Sequence, residues 1–192
     1  CRGKMPGREC RCRKIGCGDR LRFGIKCVSL SSYRSETMQG MKILILNGPN
    51  LNLQGRRDVA VYGTETFEHY VGRLRAAYPG VAIDYAQSNI EGELIDAIQR
   101  AEGVYDGIVF NAGGYTHTSV SLRDAVSAAA LPVVEVHISS ILAREEFRRE
   151  SLLAPVAVGS VMGFGLLSYE LGLLALLRRA DEAACIRASD LQ

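Results

Sequence analysis

From residue 41 onward, short apolar runs alternate with segments of helical periodicity, and this alternation constrains the fold of the 192-residue chain more than any other feature. Each apolar run is continuous, which is typical of parallel strands that helices cover on both faces. The pattern predicts five strands, at 42–46, 81–86, 107–110, 133–136 and 156–161, and four helices, at 64–78, 90–101, 119–130 and 166–180. Thr64 is expected to cap the first helix, and Arg178 and Arg179 are expected to end the fourth, where cations favour the helix dipole.

Five units of this kind predict an α/β domain, a flavodoxin-like three-layer sandwich with a five-stranded parallel sheet in the order 2-1-3-4-5. In that order the topological switch point lies between strands one and three, and ligands bind beyond the carboxyl ends of the strands. The segments that follow strands one, three and four are therefore the ones to search for chemistry, at 47–62, 111–119 and 137–140.

Charge and cysteine are unevenly distributed along the chain. The formal net charge is +2, but residues 1–40 carry +7 and residues 41–192 carry −5. Five of the six cysteines also precede Met41, which stands directly before the first predicted strand. We interpret residues 1–40 as a disordered or non-native N-terminal extension. Residues 41–192 are then the flavodoxin-like domain, acidic and almost free of cysteine, as expected in the reducing cytoplasm.

Residues 1–40 have other interpretations. Their arginine-rich, acid-poor composition is also typical of a transit peptide. Zinc binding by Cys10, Cys12, Cys17 and Cys27 is a further alternative, although paired C-x₂-C spacing is missing. No apolar run reaches the roughly 18 residues that a membrane-spanning helix needs, which excludes an integral membrane protein.

The segment after the first strand is about 16 residues long, well above the usual length of such loops, and loops of this kind are often lids. Arg56 and Arg57 lie close in sequence to Tyr62. A guanidinium beside a phenol favours the phenolate, which would make Tyr62 a usable base. The alternative is a surface loop with solvated arginines.

The segments after strands three and four hold further polar side chains. Gly113 and Gly114 permit close approach of a ligand to the backbone, and the surrounding residues do not form a P-loop, although flavodoxin-type phosphate binding stays open. Glu135 and His137 should point to the same side of strand four, so the carboxylate could orient the imidazole. An internal ion pair is the alternative. A basic cluster follows, made of Arg144, Arg148 and Arg149.

The residues at this edge favour proton transfer without a cofactor or a metal. Cys185 lies far along the chain, and Lys42, the one lysine after residue 40, lies at the opposite edge of the sheet, which argues against Schiff-base chemistry. The histidines and acids do not form a metal-ligand set. The remaining phenol, asparagines, histidines and arginines suit a small, anionic, hydroxylated substrate.

Five segments closely resemble the type II 3-dehydroquinate dehydratases: N-G-P-N-L-N-L at 47–53, G-R-R-D-V-A-V-Y-G at 55–63, Q-S-N-I-E-G-E-L-I-D at 87–96, N-A-G-G-Y-T-H-T-S-V-S-L-R-D-A at 111–125 and V-E-V-H-I-S-S at 134–140. The match runs in order from Met41 to about Arg179. The resemblance implies dehydration of 3-dehydroquinate to 3-dehydroshikimate, in the shikimate or quinate pathways. It also implies no cofactor and a homododecamer built as four trimers.

The resemblance implies a role for each matching residue. Tyr62 matches the base that removes a proton from C2, and Arg57 matches the lid arginine that favours the phenolate and stabilises the transition state. Asn50 matches the residue that places a water against the enolate. His137 matches the acid that protonates the departing C1 hydroxyl, with Glu135 as its partner.

Six further positions match substrate contacts of that family: Asn111, His117, Asp124, Ile138, Ser139 and Arg148. By resemblance, Ile138 and Ser139 bind the substrate carboxylate through a backbone N–H and a hydroxyl. By the same resemblance, the substrate hydroxyls are contacted by Asn111, His117 and Arg148. Asp124 reaches the site of a neighbouring subunit.

The chain departs from the family pattern near this edge. Ser140 and Leu142 stand where Asn and His are usual, and Glu150 and Leu152 flank Ser151 where His and Tyr are usual. None of these four is a direct catalytic position, so we expect the protein to be active. Any effect of the departures should fall on supporting contacts or on the subunit interface.

Two other classes of function compete. A nucleotide-binding module of the same fold would leave Tyr62, Arg57 and His137 without a shared purpose. A nucleic-acid-binding protein would depend on the basic residues 1–40 and would lose affinity with salt. We expect neither nucleic-acid nor membrane binding.

Overall fold

The computed structural model describes residues 39–53 and 66–189, with side chains up to residue 183. The elements are β1 (Lys42–Asn47), α1 (Phe67–Ala77), β2 (Ala82–Gln87), α2 (Glu91–Ala101), β3 (Gly107–Asn111), α3 (Val120–Ala128), β4 (Val133–His137), β5 (Gly159–Met162) and α4 (Leu167–Ser189). All strand pairs are parallel and the order is β2-β1-β3-β4-β5. The predicted α/β class and strand order are confirmed.

Two apolar layers fill the space between the sheet and its helices. Side chains of successive strand residues point to opposite faces, so Ile43 and Ile45 pack with α1 and α4, while Leu44 and Leu46 pack with α2 and α3. α4 lies close to the sheet: a Cβ added at Gly172 would lie 2.9 Å from Val136 Cγ1. This double coverage explains why the central strands β1 and β3 are nearly continuous, buried apolar runs.

The largest differences between the predicted and the observed boundaries lie in α1, β5 and α4. α1 begins after Thr66, whose hydroxyl accepts a hydrogen bond from the His69 N–H at 3.3 Å, so Thr66 rather than Thr64 is the cap. β5 begins three residues later than predicted, because Val156 N–H donates to the Leu153 carbonyl in a turn.

α4 also differs from the prediction, because Arg178 and Arg179 lie inside it and do not end it. The residues that follow are rich in alanine and contain neither glycine nor proline, so nothing stops the helix there. None of the helices in the described part of the chain is long and apolar enough to cross a membrane. Of the predicted extension, residues 1–38 lie outside the described residues.

Candidate functional site

Three buried polar side chains lie at the carboxyl ends of the central strands. Asn47, Asn111 and His137 are the last residues of β1, β3 and β4. Asn47 and Asn111 are register partners across the two strands that flank the switch point. Burial of polar groups is costly unless they are hydrogen-bonded, so the contacts of these residues define the site.

Glu135 and His137 form a buried pair on β4. Nε2 of His137 lies 2.9 Å from Oε1 of Glu135, and the two side chains are only 2% and 1% exposed. The pairing follows from the two-residue period of a strand, which places both side chains on one face. The contact shows that both side chains share one face of β4, as the strand period predicts.

Three hydroxyl groups from different elements surround the Glu135 carboxylate. Thr116 Oγ1 and Ser151 Oγ donate to Oε1 at 2.7 and 2.6 Å, and Ser160 Oγ on β5 donates to Oε2 at 2.7 Å. Burial by itself would raise the pKa of the Glu135 carboxyl. The hydrogen bonds from these hydroxyls and from His137 outweigh burial and lower that pKa to about 2.

The contact with Glu135 determines which ring nitrogen of His137 carries a proton. A carboxylate with such a low pKa is ionised near neutrality and can only accept, so the nitrogen beside it, Nε2, must carry a proton. Nδ1 is the nitrogen left to exchange a proton with a ligand. The contact with Glu135 therefore fixes the orientation of the His137 imidazole, which can exchange a proton through Nδ1.

A buried tyrosine from α4 joins the two asparagines. Tyr169 Oη donates to Asn47 Oδ1 at 2.8 Å and accepts from Asn111 Nδ2 at 2.8 Å. Burial raises the pKa of Tyr169, so the phenol stays neutral and serves as donor and acceptor. Asn111 Oδ1 also accepts from the Gly113 N–H at 3.1 Å, which fixes the orientation of its amide.

The loop after β1 carries Asn50 to the same edge. Gly48 N–H donates to the Asn111 carbonyl at 2.7 Å, and a Cβ added at Gly48 would lie 2.5 Å from the Ala112 carbonyl oxygen. Only glycine fits such a close approach of two backbones. The loop is therefore held against the segment that follows β3, with Asn50 exposed beyond it.

His117 is held by a main-chain contact. Its Nδ1 lies 2.6 Å from the Glu150 carbonyl oxygen, which can only accept, so Nδ1 carries the proton. Nε2 is buried and has no hydrogen-bond partner among the described residues. Because the contact uses the backbone of Glu150, the departure from the family at this position leaves it intact.

The segment after β4 holds the remaining predicted contacts. Ile138 is buried, and the Ser139 hydroxyl accepts from Arg144 Nη2 at 2.8 Å. Arg144 therefore occupies one acceptor position of Ser139 and leaves its O–H free to donate.

Two predicted binding residues lie away from the buried cluster, on the surface. Arg148 is exposed, with its guanidinium 4.0 Å from Glu145 and over the ring of Phe147. Asp124 is exposed on α3, where it pairs with Arg123 at 3.3 Å. Tyr62 and Arg57 lie outside the described residues.

Sequence reasoning missed several supporting residues: Asn47, Thr116, Ser151, Ser160 and Tyr169. Ser160 meets Glu135 as its register partner, and sequence missed this contact because the apolar pattern places the start of β5 three residues too early. No local pattern points to Tyr169. Within residues 39–53 and 66–189, no group of three or more His, Cys, Asp or Glu residues could hold a metal ion.

The chain is similar to proteins of a known family. Residues 41–177 match the family described as dehydroquinase class II. A 3-dehydroquinate dehydratase from Campylobacter jejuni subsp. jejuni (strain 81-176) is 48% identical over 150 residues, covering 77% of this chain and 94% of that protein. One from an Exiguobacterium species is 54% identical over 138 residues, covering 71% and 94%.

Solved structures are similar as well. The type II dehydroquinase from Butyrivibrio crossotus has a TM-score of 0.68 at 42% identity, covering 71% of this chain and 97% of that one. The type II dehydroquinase from Propionibacterium acnes has a TM-score of 0.69 at 35% identity, covering 73% and 98%.

Proposed function

We propose that this chain, which belongs to the class II dehydroquinase family, is a hydro-lyase that converts 3-dehydroquinate to 3-dehydroshikimate through an enolate. The observation that carries the proposal is the Glu135–His137 pair, buried at the carboxyl end of β4 with Nε2 and Oε1 2.9 Å apart. An elimination needs a proton donor for the departing hydroxyl, and this pair supplies one.

The reaction begins with the loss of a proton from C2, next to the C3 ketone. By family resemblance Tyr62, as phenolate, takes this proton, and Arg57 favours the phenolate by its positive charge. The electrons of the C2–H bond move into the carbonyl, which becomes an enolate oxygen. Asn50 places a water that donates a hydrogen bond to that oxygen, a preorganised contact of the kind that stabilises developing charge.

The enolate then expels the C1 hydroxyl. As the carbonyl re-forms, the C1–O bond breaks and a C1–C2 double bond forms, conjugated with the ketone. His137 gives the proton from Nδ1 to the leaving oxygen, which departs as water, while Glu135 holds Nε2. Proton return from Tyr62 to His137 through solvent completes the cycle, so no cofactor is consumed.

Substrate binding uses the residues around this pair. The backbone N–H of Ile138 and the hydroxyl of Ser139 would take the carboxylate, and the Arg144 contact leaves the Ser139 O–H free for it. Asn111 and His117 would meet the ring hydroxyls. Arg148, exposed on the surface, would join them there.

Assembly and cellular setting are proposed from the resemblance. Asp124 is exposed on α3, as required of a residue that completes the site of a neighbouring subunit. We propose a homododecamer of four trimers that works in the cytoplasm in aromatic amino-acid biosynthesis, through the shikimate pathway. Light scattering on the purified full chain tests the assembly, and a monomer would contradict it.

The activity is tested by adding 3-dehydroquinate to the purified full chain without any cofactor. We expect an increase in ultraviolet absorbance from the conjugated enone of the product. Insensitivity to borohydride in the presence of substrate would separate this mechanism from Schiff-base catalysis. Absence of the enone would overturn the proposed function.

A further inference from the structure

Asn50 has an unusual backbone conformation. With φ at 66°, it is the one non-glycine residue in the described part of the chain with positive φ. Asparagine tolerates this left-handed region better than most residues, but the conformation still needs support from neighbouring groups. The contacts of the Asn50 backbone therefore govern the direction in which its side chain leaves the loop.

Asn89, which follows β2, supplies such a contact. The Asn50 N–H donates to Oδ1 of Asn89 at 2.9 Å. The same oxygen accepts from Gln87 Nε2 at 3.0 Å, and that Gln87 amide also donates to the Gly48 carbonyl at 3.2 Å. The Gln87 and Asn89 side chains thus bind the loop backbone on either side of Pro49.

Asn89 is itself held by the neighbouring loops. Its backbone carbonyl accepts from Tyr115 Oη at 3.1 Å, and Tyr115 belongs to the short helical turn Gly113–His117. The adjacent Ser88 N–H donates to the Asn47 carbonyl at 3.0 Å. Asn89 is therefore tied to the segments that follow β1, β2 and β3.

We propose that Asn89 is a positioning residue for Asn50: its side-chain oxygen, oriented by Gln87, holds the Asn50 N–H and so sets the direction of the Asn50 side chain. The inference rests on the proposed function, in which Asn50 places the water that meets the enolate. The described contacts use only the acceptor oxygen of the Asn89 side chain. A carboxylate at this position would serve as well.

The kinetic experiment compares Asn89→Ala with Asn89→Asp in the full chain. Loss of one hydrogen bond that matters mainly in the transition state should lower kcat on the order of fivefold to tenfold in Asn89→Ala, with little change in KM. Asn89→Asp keeps the acceptor and should stay within about twofold of the wild type. Gln99→Ala, which removes an exposed amide from α2, is the matched control and should be unchanged.

A double-mutant cycle separates positioning from a general structural effect. In an Asn50→Ala background, Asn89→Ala should cause no further loss of kcat, because the residue it positions is gone. Losses that multiply independently would overturn the proposal. So would an Asn89→Asp variant as slow as Asn89→Ala, or an Asn89→Ala variant with the wild-type rate.

Hydrogen exchange tests the same contact without reference to activity. Exchange of the backbone amides in 47–53, followed by mass spectrometry, should be faster in Asn89→Ala and unchanged in Asn89→Asp. Unchanged exchange in Asn89→Ala would overturn the positioning role. If the wild type failed to dehydrate 3-dehydroquinate while exchange behaved as expected, the proposed function would be wrong and the contact between Asn89 and Asn50 would still stand.

Discussion

The Ser160 hydroxyl on β5 donates to Oε2 of Glu135 on β4 at 2.7 Å, and the two residues are register partners in the sheet. Ser160 therefore holds the carboxylate oxygen that His137 does not. With Thr116 and Ser151 on the other oxygen, the carboxylate is hydrogen-bonded on both sides and kept ionised in the protein interior.

The low pKa of Glu135 predicts a specific pH dependence of stability. Since that pKa falls from the ordinary 4.5 to about 2 on folding, the carboxylate stabilises the folded state above pH 4.5, and this contribution is lost as the pH falls toward about 2. The shift corresponds to roughly 3 kcal/mol. The free energy of unfolding, measured by urea titration at several pH values, should fall over this range.

The Glu135→Gln variant should lose most of that acid dependence, while Asp96→Asn, which changes an exposed carboxylate on α2, should retain it. If the free energy of unfolding of Glu135→Gln fell with decreasing pH as steeply as that of the wild type, groups other than Glu135 would cause the loss of stability in acid.

Removal of the proposed acid or base should nearly abolish turnover. His137→Ala and Tyr62→Phe are each expected to lower kcat about 10²- to 10⁴-fold, because each step of the elimination would lack its proton-transfer group. Circular dichroism should show an intact fold. His69→Ala, an exposed histidine on α1, is the control. Wild-type turnover by either variant would remove the role assigned to that residue.

Tyr169→Phe tests the link between the two buried asparagines. Loss of the phenol oxygen leaves Asn47 Oδ1 and Asn111 Nδ2 without these hydrogen bonds, which should reduce the free energy of unfolding by about 1–3 kcal/mol. KM should rise, because the amide of Asn111 keeps its contact with the Gly113 N–H but loses the second contact that orients it.

Tyr78→Phe is the matched control for this change. Tyr78 Oη donates to Glu170 Oε1 at 2.8 Å away from the site, so its loss should leave KM unchanged. Equal KM values for Tyr169→Phe and Tyr78→Phe would contradict the role of Tyr169.

Gly48→Ala tests the close approach of the loop to the segment after β3. The added methyl would lie 2.5 Å from the Ala112 carbonyl oxygen, so the backbone must shift and carry Asn50 with it. We expect a lower kcat and a lower melting temperature. Gly92→Ala on α2 meets nothing within 4 Å and should raise the free energy of unfolding by about 0.5–1 kcal/mol. Wild-type kcat in Gly48→Ala would show that Asn50 tolerates the shift.

Much of the fold and part of the site follow from local sequence. The alternation of apolar runs and helical segments predicts a parallel α/β sheet, because parallel strands need crossover helices that return over the sheet. The Glu135–His137 pair follows from the two-residue period of a strand. The roles of Tyr62 and Arg57 come from family resemblance, and they stay predictions because both residues lie outside the described part of the chain.

The supporting contacts depended on tertiary structure. Tyr169 reaches Asn47 across 122 positions of sequence, and it does so because α4 packs over the ends of β1 and β3. Ser160 meets Glu135 through the register of β5, whose start the apolar pattern placed three residues too early. Sequence by itself determined the apolar runs and the polar segments that follow them, because periodicity acts over a few residues, and it thereby predicted which edge of the sheet carries the chemistry. Only the folded chain decided which distant hydroxyls and amides hold those groups in place, since strand register and helix packing bring together residues that no local pattern connects.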